Sequence, residues 1–404
     1  MASSVPASDV SDIKRTPNKN TLVAACTAHA AHDGLSDLVY VFLPVWQDMF
    51  SLSYVWLSVL RSAYALTLAS LQIPAATLSK KFRPAHLLVV STVVTALGWF
   101  LAGLAGSAVA LGGALVIAGI GASVQHPIAS AMVARAYGGA AKRPLGLYNF
   151  AGDVGKSILP ASAAALLTYG TYHNVVMMYA GVGLLAAALI WSLLRNVVAG
   201  GEVPVSRTPV RADSPAAGYP RAFQALLATA VLDSAVRMGF LTFLPFIIKA
   251  HGGSLAQTGL GLTLVFIGGA IGKFCCGWIA DVLGSARTIL LTELLTAALI
   301  AVVLFSPLTL AMLALPLLGV VLNGTSSVLY GAVNDVVDPA TLEKSYSVFY
   351  TGTIGAGALA PVLYGYAGDH LGVAAAVLII AGTAAVSFVP VTIVNLVNPR
   401  VFDQ

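Results

Sequence analysis

Charged residues are scarce in this sequence. Of its 404 residues only 9% are Asp, Glu, Lys or Arg, whereas 58% are hydrophobic and the mean hydropathy is +0.88. Soluble globular proteins carry about 25% charged residues, so these values exclude a soluble enzyme. They equally exclude a disordered or fibrous chain. The sequence therefore indicates a protein that crosses a membrane many times.

Cysteine is scarce as well. Cys26, Cys275 and Cys276 all lie in apolar stretches, are too few for a disulfide framework and lack metal-ligand spacing. A nucleophile motif such as G-x-S-x-G and a phosphate-binding P-loop are also missing from the sequence, which disfavours an intramembrane enzyme. We expect no metal and no cofactor, and the N-terminus shows no cleavable-signal pattern.

Apolar windows predict twelve transmembrane helices, since about 20 apolar residues cross roughly 30 Å of hydrocarbon. The windows lie at about 21–47, 53–79, 85–106, 108–135, 145–170, 173–195, 221–250, 255–281, 286–306, 308–335, 345–368 and 371–396. The segment between the sixth and seventh is rich in Pro, Gly, Ser and charge, which is typical of a linker. The predicted domains are an N-terminal tail at 1–20, a six-helix bundle at 21–195, a linker at 196–220, a second six-helix bundle at 221–396 and a tail at 397–404.

The distribution of basic residues predicts the orientation. Of 21 Lys and Arg residues, 16 fall on the side that holds both termini; the other five are Arg61, Lys156, Arg237 and Lys273 inside spans and Lys249 on the opposite side. Both termini are therefore predicted to be cytoplasmic, in a bacterial inner membrane. The net charge of +5 reflects this asymmetry and does not indicate a nucleic-acid partner.

A weak internal repeat relates the two halves. At an offset of 200 residues, matches occur in three pairs of helices: Asp33 with Asp233, Gly119 with Gly319, and Phe150, Gly152 and Gly155 with Tyr350, Gly352 and Gly355. Two parallel six-helix halves are the duplication expected of a major facilitator transporter. The fold class predicted is therefore an all-α membrane protein with two pseudo-symmetric six-helix bundles.

Short motifs add a family resemblance. The residues Gly277, Asp281, Gly284 and Arg287 resemble the loop signature G-x-x-x-D-x-x-G-x-x-R of the major facilitator superfamily. Within that superfamily, the segments His29-Ala-Ala-His-Asp33, Val124-Gln-His126-Pro127 and Phe150-Ala-Gly152-Asp-Val-Gly155 resemble the fosmidomycin-resistance group of exporters. The resemblance implies proton-driven efflux of a drug or metabolite.

Ionisable residues inside the membrane are candidate functional residues, because burying a charge is costly. On the first helix His29, Asp33 and Asp37 recur at i, i+4 and i+8 and share one face. The candidates for proton coupling are His29, His32, Asp33, Asp37 and Asp233. The alternative for Asp33 is a permanently paired structural carboxylate. Glu293, on an outer helix, is expected near the cytoplasmic interface without a role.

Other polar residues inside the spans are candidates for substrate binding. They are Arg61, His126, Asn149, Asp153, Lys156, Arg237, Asn323, Tyr330, Tyr346 and Tyr350. For several of them a structural role is equally compatible with the sequence: Asp153 with Lys156 and Asp233 with Arg237 can pair locally, and the tyrosines and Asn323 can join helices. Lys273 is expected to reach toward the membrane surface.

Charge reversals between the halves predict two conformation-dependent ion pairs. Asp37 corresponds to Arg237 and could join the two halves across the cavity in one state. Arg135 corresponds to Asp335 and could close the cytoplasmic side in the outward-facing state. Solvated helix-end charges explain the second pair equally well.

The function predicted is secondary active transport by alternating access, as proton-coupled export of a small organic compound by a monomer in the lipid bilayer. One alternative is an importer or exchanger of organic anions that binds its substrate with Arg61 and Arg237. Another is a transport-inactive membrane sensor, although the short loops leave little room for a signalling domain.

Overall fold

The computed structural model describes residues 19–79, 81–199, 221–337 and 342–397. Most of the predicted linker and tails, together with Lys80, lies outside these residues. The described chain folds into the helices α1 (Lys19–Phe50), α2 (Tyr54–Ser70), α3 (Gln72–Leu78), α4 (Pro84–Gly103), α5 (Ala108–Tyr137), α6 (Lys142–Leu166), α7 (Tyr172–Ala199), α8 (Arg221–Ala250), α9 (Leu255–Leu283), α10 (Ser285–Phe305), α11 (Leu308–Gly331), α12 (Val333–Val336), α13 (Leu342–Leu371), α14 (Val373–Ser387) and α15 (Val389–Val397).

Three of the breaks between helices are single residues with helical backbone angles, namely Leu71, Ala332 and Phe388. Each therefore interrupts one membrane crossing without ending it. The described helices thus form twelve crossings, and the predicted fold class is confirmed.

Local sequence fixes several helix ends. Ser107 accepts a hydrogen bond from the backbone N–H of Ala110 at the start of α5. Ser254 and Gln257 form a reciprocal capping box at the start of α9. Gly284 ends α9 with φ of +84°, a conformation that favours glycine, which explains this position of the loop signature.

Nine of the described helical segments are long and apolar enough to cross a membrane on composition alone. The crossings formed by α1, α6 and α13 are not among these nine. Polar residues concentrate in α1 and α6, including Asp33, Asp37, Asp153 and Lys156. Helices that carry charge at membrane depth are expected to face a protein interior or a cavity instead of lipid.

The two halves, α1–α7 and α8–α15, meet mainly through three helix pairs: α2 with α13, α6 with α9, and α1 with α8. We call the membrane side where α1 begins the near face and the side where α1 ends the far face. At the far face Asp369 of α13 accepts hydrogen bonds from the backbone N–H groups of Tyr54 and Val55 at the start of α2, at 2.7 and 3.0 Å. Lys249 also pairs there with Asp48 at 3.0 Å.

Contacts between the halves continue to mid-membrane. Arg61 donates to the carbonyl of Gly357, and the hydroxyl of Ser62 donates to the carbonyl of Ala358. On the opposite side of the interface Thr263 of α9 donates to the carbonyl of Ser157 at 2.7 Å. The ion pair between Asp153 of α6 and Lys273 of α9, at 2.7 Å, also joins the halves, near the middle of both helices. The contacts found between the halves in the described residues thus run from the far face to mid-membrane.

Candidate functional site

Asp33 is the centre of a buried cluster of charged and polar residues in the N-terminal half. Its carboxyl oxygens lie 3.0 Å from Nζ of Lys156, 3.2 Å from Nε2 of His29 and 3.4 Å from Nε2 of His126. Only 9% of the Asp33 side chain is exposed. We call these four residues, which come from α1, α5 and α6, the acid–histidine cluster.

The hydrogen bonds of His29 show that this cluster holds a proton. Nδ1 of His29 lies 2.8 Å from the backbone carbonyl of Tyr148, and a carbonyl can only accept, so Nδ1 carries hydrogen. Nε2 faces the Asp33 carboxyl, and that contact is attractive only if a proton lies between the two groups. Either His29 is an imidazolium or Asp33 is protonated. The two groups therefore share a proton in this conformation.

Glycines allow the helices of this cluster to approach closely. A Cβ atom at Gly152 would lie 2.6 Å from Nε2 of His29, and one at Gly155 would lie 2.0 Å from the carbonyl oxygen of Ala30. Both distances are too short for a side chain, so α6 packs directly against α1. The motif around Gly152 and Gly155 is thus explained by packing that positions His29.

His32 takes a separate position. It is 1% exposed, and Nε2 lies 2.9 Å from the hydroxyl of Thr92 on α4. The Thr92 hydroxyl donates its own hydrogen to the carbonyl of Leu88, so it accepts from His32. This arrangement joins α1 to α4 within the N-terminal half, outside the acid–histidine cluster.

A cavity of about 280 Å³ lies between the halves. Its polar wall includes Asp37, Arg61 and Arg237, and the remaining lining residues are Ser36, Val39, Tyr40, Tyr64, Ala65, Leu68, Ser234, Met238, Tyr330, Thr353, Ile354, Gly357 and Ala358. Asp37 lies one helical turn from Asp33, so the cavity and the acid–histidine cluster are adjacent on α1. Small-molecule sites commonly combine such a mostly apolar wall with a few charged groups.

The two cavity arginines are held differently. Arg61 is 7% exposed and donates to the hydroxyl of Tyr40 at 3.1 Å as well as to Gly357 of the other half. Arg237 pairs with Asp233 at 3.5 Å, four residues earlier on α8. Asp37 forms no ion pair with any described residue. In this conformation Asp37 and Arg237 therefore do not pair across the cavity.

Several other candidate residues join helices. Asp153 pairs with Lys273 of α9 at 2.7 Å, so the local pair of Asp153 with Lys156, one of the two roles that the sequence allowed, is not formed, and Lys273 does not extend freely to the membrane surface. The amide of Asn323 packs over Gly269, where a Cβ atom would lie 2.6 Å from Nδ2. Asn149 is exposed.

Three tyrosines form an aromatic wall in the C-terminal half. The rings of Tyr330 and Tyr350 lie 4.9 Å apart, and those of Tyr346 and Tyr350 lie 6.2 Å apart. The hydroxyl of Tyr346 donates to the backbone carbonyl of Tyr330 at 3.1 Å. Of these three residues, Tyr330 lines the cavity.

The residues of the predicted loop signature lie at the near face, where α9 ends and α10 begins. Asp281 and Arg287 are both exposed and do not pair with each other, and a Cβ atom at Gly277 would meet open space. Arg135 and Asp335 are likewise not paired with each other in this conformation. A near-face ion pair between these last two residues stays a prediction.

The ligand atoms of His29, Asp33 and His126 lie within 4.8 Å of one another, a spacing that also suits a metal ion. Lys156 argues against that interpretation, because its ammonium group already places a positive charge 3.0 Å from Asp33. A divalent cation would have to displace it. The geometry therefore favours a proton over a metal ion.

Sequence reasoning missed the far-face contacts of Asp48, Lys249 and Asp369, and the burial of Glu293. Asp48 and Lys249 are 201 positions apart, close to the repeat offset, which is a signal that could have found them. Asp369 bonds to backbone groups of another helix, for which no sequence signal exists.

Comparisons with known proteins match this architecture. The profile of the Major Facilitator Superfamily matches residues 25–231 and 226–402. The fosmidomycin resistance protein of Escherichia coli (strain K12) is 30% identical over 152 residues, and this match spans 37% of each chain.

Solved structures with the same fold include two crystal structures of a bacterial homologue of the human lysosomal transporter Spinster. The inward-facing, unoccupied form aligns with a TM-score of 0.73 at 17% identity, over 96% of this chain and 98% of that one. The inward-facing, occupied form aligns with a TM-score of 0.70 at 17% identity, over 94% and 95%. Since the family profile covers both halves and the fold agrees, this multi-pass membrane protein is a member of the major facilitator superfamily of transporters.

Proposed function

We propose that this protein is a proton-coupled exporter of small organic compounds, with the acid–histidine cluster as its proton site. The observation that carries the proposal is the contact between His29 and Asp33, which requires a proton and lies one turn from the cavity. Binding of substrate next to Asp37 would change the electrostatic field at Asp33. Substrate binding and proton binding would therefore influence each other.

The substrate class follows from the cavity wall. Arg61 and Arg237 favour a carboxylate or phosphonate, Asp37 adds a site for a cationic group, and Met238, Ile354 and Tyr330 offer apolar and aromatic surface. A small organic anion or zwitterion with an apolar body fits this wall. Resemblance to the fosmidomycin resistance protein makes fosmidomycin the first compound to try.

Alternating access supplies the transport cycle in this proposal. The halves are joined at the far face, so this conformation would admit substrate from the near face. Positive-inside asymmetry makes the near face cytoplasmic, in a bacterial inner membrane. In the opposite state the far-face contacts would break and Arg135 and Asp335 would approach each other.

The proton role is tested in liposomes that contain a pH-sensitive dye and carry an imposed pH gradient. Substrate-dependent proton movement is expected for the wild-type protein with fosmidomycin, methylphosphonate or benzoate as the trial compound. Asp33→Asn should lose transport driven by the gradient but keep counterflow of labelled substrate, because it removes the proton site and leaves the cavity intact. An Asp33→Asn variant that responds normally to the gradient would refute the proposed proton site.

A second candidate function is import or exchange of organic anions. The observation that favours it is that Arg61 and Arg237 both face the cavity from opposite halves. In that case Arg61→Gln and Arg237→Gln would each abolish uptake, dicarboxylates would compete strongly, and transport would continue without a pH gradient.

A further inference from the structure

The four residues of the acid–histidine cluster differ in their access to water. The side chains of Asp33 and His29 are 9% and 8% exposed, whereas those of Lys156 and His126 are 32% and 37% exposed. A proton that the buried pair of His29 and Asp33 exchanges with water must therefore pass a more exposed member of the cluster. His126 and Lys156 are the two members that reach water in this conformation.

The exposed parts of His126 and Lys156 face the space between the halves, on the near-face side of the cavity. Asp37, at the cavity, lies one turn closer to the far face than Asp33, because α1 runs from the near face to the far face. Lys156 lies one turn from Asp153, which pairs with α9 of the other half, so this side of α6 faces the interface instead of lipid. The cluster thus lies between the cavity and the near face.

The two oxygens of Asp33 have different partners. Oδ2 lies 3.2 Å from Nε2 of His29 and 3.0 Å from the ammonium group of Lys156. Oδ1 lies 3.4 Å from Nε2 of His126 and has no second ion-pair or hydrogen-bond partner among the residues that the structure describes. The carboxyl oxygen that is free of Lys156 therefore faces the exposed histidine.

The ring of His126 has the geometry that proton transfer needs. An imidazole can accept a proton on one nitrogen and release the hydrogen of the other. In His126, Nε2 faces Asp33, while Nδ1 makes no hydrogen bond within the described part of the chain. In His29, by contrast, Nδ1 donates to the carbonyl of Tyr148, so this ring has no nitrogen left for water. Lys156 would leave Asp33 without its cation if it gave up a proton.

The other helices that pack on α5 leave this contact undisturbed. The ring of His29 stands edge-on to that of His126, with 5.1 Å between the ring centres. Arg61 of α2 is bound at the cavity wall, and His86 of α4 stacks on Trp191. Neither residue makes an ion pair or hydrogen bond with His126.

We propose that His126 carries protons between the buried pair of His29 and Asp33 and water on the near-face side. The shared proton leaves the carboxyl group by way of Oδ1 and binds Nε2 of His126, and the resulting imidazolium gives the hydrogen of Nδ1 to water. His126 is then neutral with its hydrogen on Nε2, from which it donates to the carboxylate that remains. In proton-driven export, this step releases the proton to the near face before substrate binds there. The link to export rests on the proposed function, whereas exchange of the proton with water does not.

Hydrogen exchange tests this path without any substrate. NMR of protein labelled with ¹⁵N-histidine, in micelles at neutral pH, follows how fast the hydrogen between His29 and Asp33 exchanges with water, and His29→Gln identifies the signal. His126→Asn should slow this exchange about 100-fold, as expected when a positioned acid–base group is lost, and free imidazole should restore it. His86→Asn is the matched control, because His86 is also half-buried and lies in the same half. It should exchange like the wild type.

Two results would overturn the proposal. Exchange in His126→Asn at the wild-type rate would mean that Lys156 or water alone carries the proton. Slowed exchange that imidazole does not restore would show that His126 only supports the structure. His126→Gln provides the same comparison if the asparagine variant does not fold.

The link to export is tested in the liposome assay with fosmidomycin. His126→Asn should slow transport driven by the pH gradient but keep counterflow, because it leaves Asp33 and the cavity in place. Imidazole on the near-face side should restore gradient-driven transport in His126→Asn and not in Asp33→Asn. If the wild type moves no protons with any trial compound, the proposed function fails, while the exchange rates still decide the role of His126.

Discussion

Replacing Lys156 with Gln should destabilise the protein through its ion pair with Asp33. The ammonium group lies 3.0 Å from a carboxyl group that is 9% exposed, whereas Lys156 itself is 32% exposed. Removing one partner of a buried ion pair costs about 3–5 kcal/mol, and the partial exposure of Lys156 favours the lower end, about 3 kcal/mol. Asp33→Asn should cost less, about 1–2 kcal/mol, because the lysine that remains can reach solvent.

A double-mutant cycle measures this interaction. The double variant Asp33→Asn with Lys156→Gln should be about 2 kcal/mol more stable than the sum of the single effects predicts. Equilibrium unfolding in mixed micelles provides the free energies. The surface pair of Lys249 and Asp48 is a matched control, because its distance is also 3.0 Å but its side chains are 50% and 68% exposed.

For the control cycle the coupling should be about 0.5 kcal/mol or less, as for other exposed ion pairs. Equal coupling in the two cycles would show that burial of Asp33 does not strengthen its interaction with Lys156. The interpretation of the acid–histidine cluster as a tightly coupled unit would then be wrong.

Three further substitutions test the packing and the far-face contacts. Gly152→Ala should impair pH-driven transport and lower the melting temperature, because the new methyl group would overlap with His29. The control is Gly146→Ala on the same helix, where the methyl group meets open space and should be neutral or slightly stabilising. Equal effects of the two substitutions would contradict this explanation. Asp369→Asn should weaken the far-face contact with α2 by about 1 kcal/mol. Spin-label distances between the halves should then shift toward a state that is open at the far face. Unchanged distances would mean that other contacts hold the halves together. Arg61→Lys should lose the contacts to Tyr40 and Gly357 together, because an ammonium group lacks the reach and planar geometry of guanidinium. The measurement is again the spin-label distance between the halves, which should shift.

Most of the fold could be predicted from the sequence because lipid demands long apolar helices. The predicted seventh span, 221–250, coincides with α8 (Arg221–Ala250), and the other predicted ends differ from the observed ones by a few residues. Single-residue breaks such as Leu71 could not be predicted, since apolar periodicity continues through them.

The candidate site was predictable in its members but not in their pairing. The spacing of His29 and Asp33 on one helix face gives their contact directly, since residues four apart are neighbours on a helix. Lys156 pairs with Asp33 instead of Asp153, and Asp153 pairs with Lys273, because helix rotation and tilt decide which partner is nearest. Glu293 was misplaced because depth in the membrane says nothing about which way a side chain points.

The starts of α2 and α9, which follow corresponding positions in the two halves, are capped in different ways. α9 satisfies its first N–H groups with its own Ser254 and Gln257, but two N–H groups of α2 depend on Asp369 from the other half. When the halves separate at the far face, α9 keeps every one of these bonds, whereas α2 loses two until water replaces them. The cost of uncapping a helix during opening is therefore confined to the edge of the interface formed by α2 and α13, and the edge formed by α6 and α9 does not share it.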